Sequence, residues 1–279
     1  MRRNLQASRR SRRVVVELIK QVRRLRTRLG LGAMVGLPAL LALVFWLGRG
    51  QAGERGAPQD IFALATQSGL NFAAASLEAM GRFFLVVVVA LFAGEPVAGE
   101  ANWGTLRYLL VRPVPRPRLL RDKLVVSMLL GTVAILLVPL AGMAAGTVAF
   151  GWGRLQIPFG SLGTGAALTK LAIGTAYQAA SLSAIAALAF MLSTMTSSPA
   201  GPVSVAVGAA IVSQILDAVP SLGNVAKWLP THYWGAWTQI LARPPQSGDM
   251  LRGVLGQLPY VAVFCVVAWA WFQRKDILS

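Results

Sequence analysis

The stretch LAIGTAYQAASLSAIAALAFMLSTMTSSPAGPVSVAVGAAIVSQIL, residues 171–216, contains no charged side chain over 46 residues. As a single helix it would be about 69 Å long at 1.5 Å per residue, more than twice the roughly 30 Å of bilayer hydrocarbon. It must therefore break. The break is legible at Ser193–Pro202, which is polar and rich in turn-forming Ser, Pro and Gly. One charge-free stretch thus predicts two membrane-crossing helices. Working outward, Leu31–Gly48, Leu124–Gly153 and Gly253–Gln273 each supply a further uncharged stretch of spanning length. Phe83–Gly94 is short, but extends upstream through Leu70–Met80 if the membrane tolerates Glu78 and Arg82. The count is six.

Composition agrees with that reading. Hydrophobic residues make up 55% of the 279 and charged residues 13%, about half the roughly 25% of a soluble domain. Mean hydropathy is +0.59. The charge is lopsided, with 27 Lys and Arg against 10 Asp and Glu. A soluble nucleic-acid binder would carry such charge on a polar face rather than beside this hydropathy. One cysteine leaves no disulfide framework, and one histidine beside it argues against a structural metal site. The sequence predicts an all-α integral membrane protein.

Lys and Arg accumulate in cytoplasmic loops. With both ends inside, the inner segments hold 11 in the N-terminal arm, six between spans two and three, and two at the C terminus, 19 of the 27. The outer loops hold seven, and Arg82 lies within a span. The expectation is a multi-pass protein of the cell (plasma or inner) membrane with both termini cytoplasmic. Residues 1–30 form a basic arm ahead of a single six-span domain, 31–279. In the arm, Val15, Leu18, Val22, Leu25 and Leu29 recur at helical spacing among basic residues, the pattern of an amphipathic helix lying on the membrane surface and meeting anionic lipid. Ser11-Arg12-Arg13-Val14 suggests a twin-arginine signal instead, but 30 residues precede the apolar run.

Between spans two and three, residues 95–118 read as a short cytoplasmic helix stopped at Pro113. Trp103, Leu106 and Leu110 share one face, Glu100 and Arg107 another. Arg112, Arg116, Arg118, Arg121 and Lys123 follow as a basic collar. A surface helix tied to two spans can transmit a push into the bilayer. A merely interfacial helix bearing positive-inside arginines would show the same charges.

The run Gly99-Glu100, Gly104-Thr105-Leu106-Arg107, Leu110, Arg112-Pro113-Val114, Arg116 and Lys123 resembles the coupling segment of type-2 ABC exporter permeases. Glu17-Leu18-Ile19-Lys20 ahead of span one, Leu229-Pro230-Thr231-His232-Tyr233 before span six, and Phe272–Ile277 at the end are similar to that family in the same order. Pro115 departs from it, standing where a small polar residue is expected. The resemblance implies a permease that pairs with a second, identical copy and docks two ABC ATPase subunits. It makes Gly99, Glu100, Trp103, Gly104, Thr105, Leu106, Arg107, Arg112 and Pro113 the ATPase-coupling residues. ATP and Mg belong on the partner: a Walker A loop ends in Gly-Lys-Ser/Thr, and the dipeptide Gly-Lys does not occur in this chain. No cofactor, catalytic residue or nucleic-acid partner is expected of the chain itself.

Glu78 and Arg82 stand at i, i+4 in the favourable orientation. They either line an outer vestibule or neutralise each other near the interface. Tyr177 and Gln178 in span four are candidate pathway residues, with tight packing of small and hydroxylated residues as the alternative. Residues 221–250 read as one or two short interfacial or re-entrant helices. Family analogy makes Trp228, Pro230, His232, Tyr233 and Trp234 an outer gate. His232 has no neighbouring carboxylates in sequence, and Asp217 and Lys170 mark span ends. The competing functions are a non-transporting scaffold or regulatory subunit and a membrane-embedded enzyme, which needs clustered His or acids.

Overall fold

The computed structural model describes residues 14–48, 61–102, 116–158, 160–242 and 244–274. Helix α1 covers 14–22. It is followed by α2 (Leu25–Leu47), α3 (Gly69–Gly81), α4 (Phe84–Asn102) and α5 (Arg116–Phe150). A hairpin of β1 (Leu155–Ile157) and β2 (Gly160–Leu162) leads to α6 (Thr164–Ser181), α7 (Ser183–Met195) and α8 (Ala200–Asp217). Two 3₁₀ helices, Pro220–Trp228 and Ala236–Leu241, precede α9 (Gly248–Arg274).

Six of these stretches are long and apolar enough to cross a membrane: α2, α4, α5, α6 with α7, α8 and α9. The chain has the architecture of a multi-pass, essentially all-helical membrane protein. An even number of crossings returns the chain to the side it started from. Residues 24 and 274 therefore share one end of the bundle, here the terminal end.

From Phe84 to Gly94 helix α4 is apolar around its whole circumference, as a helix surrounded by others must be. It is the most enclosed of the six, packed against α5, α7 and α8. Large apolar side chains of α2, α8 and α9, such as Leu43, Val212 and Val266, point outward, as lipid contact requires.

The spans begin earlier than their uncharged stretches. Helix α2 starts six residues before Leu31, α5 eight before Leu124, and α6 seven before Leu171. The collar from Arg116 to Lys123 thus forms the first turns of α5, because a helix propagates through charges whose partners lie at its foot. Span two differs more. It is divided at Arg82 into α3 and α4, and α4 runs on to Asn102. Residues 95–102 are therefore the end of a span, not the start of a separate helix.

Together α3 and α4 run antiparallel to the 35-residue α5, which at about 52 Å outreaches the hydrocarbon. Their contact uses small residues. A Cβ on Gly142 would stand 2.8 Å from the Ser76 Cβ and 3.2 Å from the Ala73 Cα.

The hairpin was not foreseen, since strands of three residues fall below any periodicity window. It is held from α3. Asn71 Oδ1 accepts from the Gln156 amide and Asn71 Nδ2 donates to the Gln156 carbonyl, both at 2.8 Å. Ser68 caps α3 by accepting from the Asn71 amide at 3.2 Å. Gly151, at φ 83, ends α5 in the left-handed region.

Candidate functional site

At the terminal end, three pieces of sequence far apart in the chain converge. Lys123 of α5 is buried, and its Nζ lies 2.8 Å from Glu100 Oε2 and 3.1 Å from Glu17 Oε1. It also donates to the Pro96 carbonyl at 3.0 Å. Lys20 donates to Glu100 Oε1. Beside them Arg24 Nη1 pairs with Glu95 Oε1 at 3.1 Å, along the clear side of Gly99, whose missing Cβ would lie 3.3 Å from that Nη1. Three acids meet three cations, so a set of buried charges that would otherwise be costly is balanced. Mechanically the cluster clamps the arm to the ends of spans two and three.

Glu17 feels opposing influences. Burial, the largest, pushes its carboxyl up, but Lys123 and Lys20 and the hydrogen bonds from Lys123 and Gln21 together hold it below its ordinary value of 4.5. A carboxyl depressed on folding contributes stability above its unfolded pKa and loses it as pH falls through the folded one. The melting temperature of the wild type should therefore exceed that of Glu17→Gln at neutral pH. The gap should close on acidification below 4.5, as a thermal melt series in detergent will read.

Pro96 sits inside α4, where it can make no backbone donation. The amides that follow it turn to another helix: Val97 and Ala98 donate to Ser193 Oγ of α7 at 3.2 and 3.0 Å. Hydroxyls of neighbouring helices commonly satisfy amides freed by a membrane proline. Ser193→Ala should cost about 1–3 kcal/mol, the penalty for a buried donor left without a partner, seen as a lowered melting temperature in detergent.

At the far end lies a second polar region. Arg82 Nε donates to Glu78 Oε1 at 3.0 Å, and Trp237 Nε1 donates to Glu78 Oε2 at 3.0 Å. Gln214 Nε2 donates to the Arg82 carbonyl at 3.1 Å. His232 Nδ1 pairs with Asp217, and Ser213 bonds Thr231 at 2.7 Å. Two cavities open here, of about 470 and 500 Å³, and Arg82 lines both.

A family model described as "Protein of unknown function (DUF2705)" matches residues 58–216. The chain belongs to that family. The match runs from ahead of α3 to the end of α8. It takes in Glu78, Arg82, Glu100, Lys123 and Ser193 but not the arm or the segment after Asp217. A curated relative, the uncharacterized protein YhcI of Bacillus subtilis (strain 168), is 25% identical over 214 residues. The alignment covers 71% of this chain and 65% of the relative, so the chain spans less than two thirds of that protein's length.

Of the expected coupling residues in this family member, Gly99 and Glu100 fall in α4. Trp103, Gly104, Thr105, Leu106, Arg107, Arg112 and Pro113 lie outside the described residues. Glu100 does not present an open carboxylate: its side chain is 2% exposed and faces the two lysines. Glu78 and Arg82 are paired at 3.0 Å, and both line the cavity of about 470 Å³.

Tyr177 and Gln178 are buried and bind backbone, Tyr177 Oη donating to the Tyr233 carbonyl at 2.5 Å and Gln178 Nε2 to Gly81 at 3.2 Å. Both join elements instead of offering a polar face. Trp228 is exposed as expected of an interfacial ring, but Trp234 and Trp237 are core residues. Gly174 gives the Trp237 ring its room, since a Cβ there would lie 2.6 Å from Cε3.

The Pro230 carbonyl accepts from Gln257 at 2.7 Å. His232 does have a carboxylate partner, Asp217, which α8 delivers from 15 residues away. Lys170 donates to the Ile240 carbonyl at 2.7 Å. Asp217 and Lys170 are thus tethers of the 229–242 segment as well as span ends. Gln239 and Asp249 are not singled out by the sequence, and Ser193 is read there as the start of the break between two spans, not as a partner of α4. For Ser193 the available signal was Pro96, since a proline inside a span disturbs the helix around it and frees backbone groups that neighbouring side chains can satisfy.

Proposed function

We propose that this chain is the membrane-spanning permease subunit of an ABC exporter, moving a small or amphipathic substrate with ATP hydrolysed by a separate subunit. The observation that carries the reading is the cluster of Glu17, Lys20, Glu100 and Lys123. Two sequence pieces that resemble the exporter family, Glu17–Lys20 and the run from Gly99 to Lys123, meet at the foot of span two. There they form a stiff joint between the surface arm, span two and span three. Force applied to the loop after Asn102 would pass through that joint into the bundle. The positive-inside count, 19 of 27 Lys and Arg, supports placing this end in the cytoplasm. The chain itself catalyses nothing in this reading; two permeases and two ATPases make the machine.

The test is coexpression with an ATPase subunit bearing a Walker A loop, followed by purification and reconstitution into vesicles. The expected result is a stable complex whose ATP hydrolysis rises with substrate and accompanies its net movement. Glu100→Gln and Arg107→Ala should lower transport per ATP hydrolysed. If no complex forms and these changes leave transport untouched, the reading fails. Stimulated hydrolysis without substrate movement would identify a regulatory subunit instead.

A further inference from the structure

At the terminal end, the charges left over after pairing all carry one sign. The described acids there, Glu17, Glu95, Glu100 and Asp122, each face a cation, taking up Lys20, Lys123, Arg24 and Arg121. Arg23, Arg26 and Arg28 around the bend between α1 and α2, and Arg118 in the first turn of α5, stay exposed. None of the four pairs with an acid among the described residues. Helix α2 packs along α5, so these cations stand at one end of two neighbouring helices.

The same corner carries an apolar face that no described residue covers. In α1, Glu17, Leu18 and Gln21 turn toward the bundle, whereas Val15, Val16, Ile19 and Val22 are exposed. The sequence places Leu18 in the outward stripe; the structure packs it against the core. Arg24, extended at φ −69 and ψ 134, interrupts the helix between α1 and α2, so α1 leaves the axis of span one. Arg28 Nε braces the bend by donating to the Val22 carbonyl at 3.2 Å.

We propose that this corner, with the foot of α5, docks an anionic phospholipid, its acyl chains along the exposed face of α1 and its phosphodiester among the unpaired arginines. The proposal goes beyond the permease reading and does not rest on it. Exposed apolar side chains run up α2 from Leu29 to Leu47, about 27 Å at 1.5 Å per residue and close to the roughly 30 Å of hydrocarbon. Arg23, Arg26 and Arg28 therefore fall at or just beyond the edge of the hydrocarbon, at the level of lipid phosphates. A guanidinium matches a phosphate with paired N–H donors, and clustered basic residues beside a span attract anionic lipid. Phosphatidylcholine brings its own ammonium to a corner that already has an excess of positive charge. An acidic protein surface would meet the arginines but leave the valines and Ile19 in water; an anionic lipid covers both.

The test uses the full chain purified in detergent and incubated with an equimolar mixture of phosphatidylglycerol and phosphatidylcholine of identical acyl chains. Native mass spectrometry counts the lipids retained. Phosphatidylglycerol should be retained at least fivefold over phosphatidylcholine. Arg23→Gln, Arg26→Gln and Arg118→Gln together should bring that ratio near one; Arg28 is spared because it braces the bend. Val16→Ser with Ile19→Ser should lower phosphatidylglycerol retention at least threefold with every charge intact. Arg252→Gln, an exposed cation of the far end, should leave the ratio unchanged. No preference in the wild type overturns the proposal, as does a ratio unmoved by the triple variant or lowered equally by Arg252→Gln. Glycerophosphoglycerol, the headgroup without acyl chains, should fail to displace the lipid at the same concentration; displacement would mark a site for free phosphodiesters and overturn the lipid assignment. A triple variant that keeps its lipid preference but loses an ATPase partner would assign the arginines to protein docking instead.

Discussion

Replacing Lys123 by alanine should destabilise the protein by about 3–5 kcal/mol, the usual cost of removing one partner from a buried ion pair. The Lys123 side chain is 2% exposed and stands against Glu100, also 2% exposed, and against Glu17. Without it, two carboxylates face only Lys20. The loss should appear as a lowered melting temperature and as faster proteolysis of the arm, which the cluster holds down. The double variant Lys123→Met with Glu100→Gln provides the check. It leaves Glu17 and Lys20, one charge of each sign, and should recover most of the stability. If the double variant is as unstable as Lys123→Ala, charge imbalance is not the cause.

Gly146→Leu should be nearly as damaging for a steric reason. A Cβ at this position of α5 would lie 2.5 Å from the Phe72 Cβ and 3.1 Å from the Gly69 Cα. One obstacle is backbone and the other is the stem of a buried ring, so neither can swing aside. Overpacking of this kind costs roughly 3 kcal/mol, and here it would wedge α3 away from α5 and strain the hairpin that Asn71 holds. Gly208→Leu on α8 is the control, because a Cβ there meets nothing within 4 Å. The yield of monodisperse protein in detergent should fall for the first variant and hold for the second. Equal losses would mean that the α3–α5 seam is not the reason.

The residues that were legible in sequence are those whose meaning is local. A run of 46 uncharged residues cannot remain one helix, and the break foreseen at Ser193–Pro202 falls between Met195 and Ala200, where α7 ends and α8 starts. The Glu78–Arg82 pair needed only helical spacing to be seen. The first turns of α5 were not legible, because Arg118, Arg121 and Lys123 look like a loop until their partners are known. The burial of Trp237 was not legible for a related reason. A tryptophan beside polar residues looks interfacial, and only Gly174 and Glu78, from two other helices, show that Trp237 has a cavity and an acceptor waiting.

Hydropathy by itself determined that this chain has six stretches long and apolar enough to cross a membrane, because about 30 Å of hydrocarbon demands long apolar helices whatever their neighbours do. Charge placement is similarly local, though which face it addresses is a proposal. What only the tertiary structure decided is which charges are buried and which meet. Glu17, Glu100 and Lys123 are separated by more than 100 residues at the extremes and touch because α1, α4 and α5 end at one place. Asp217 reaches His232, and Ser193 reaches the amides behind Pro96, by the same means. A buried charge or a freed amide takes whichever partner the packing of distant helices brings within about 3 Å, and no reading of neighbours along the chain contains that distance.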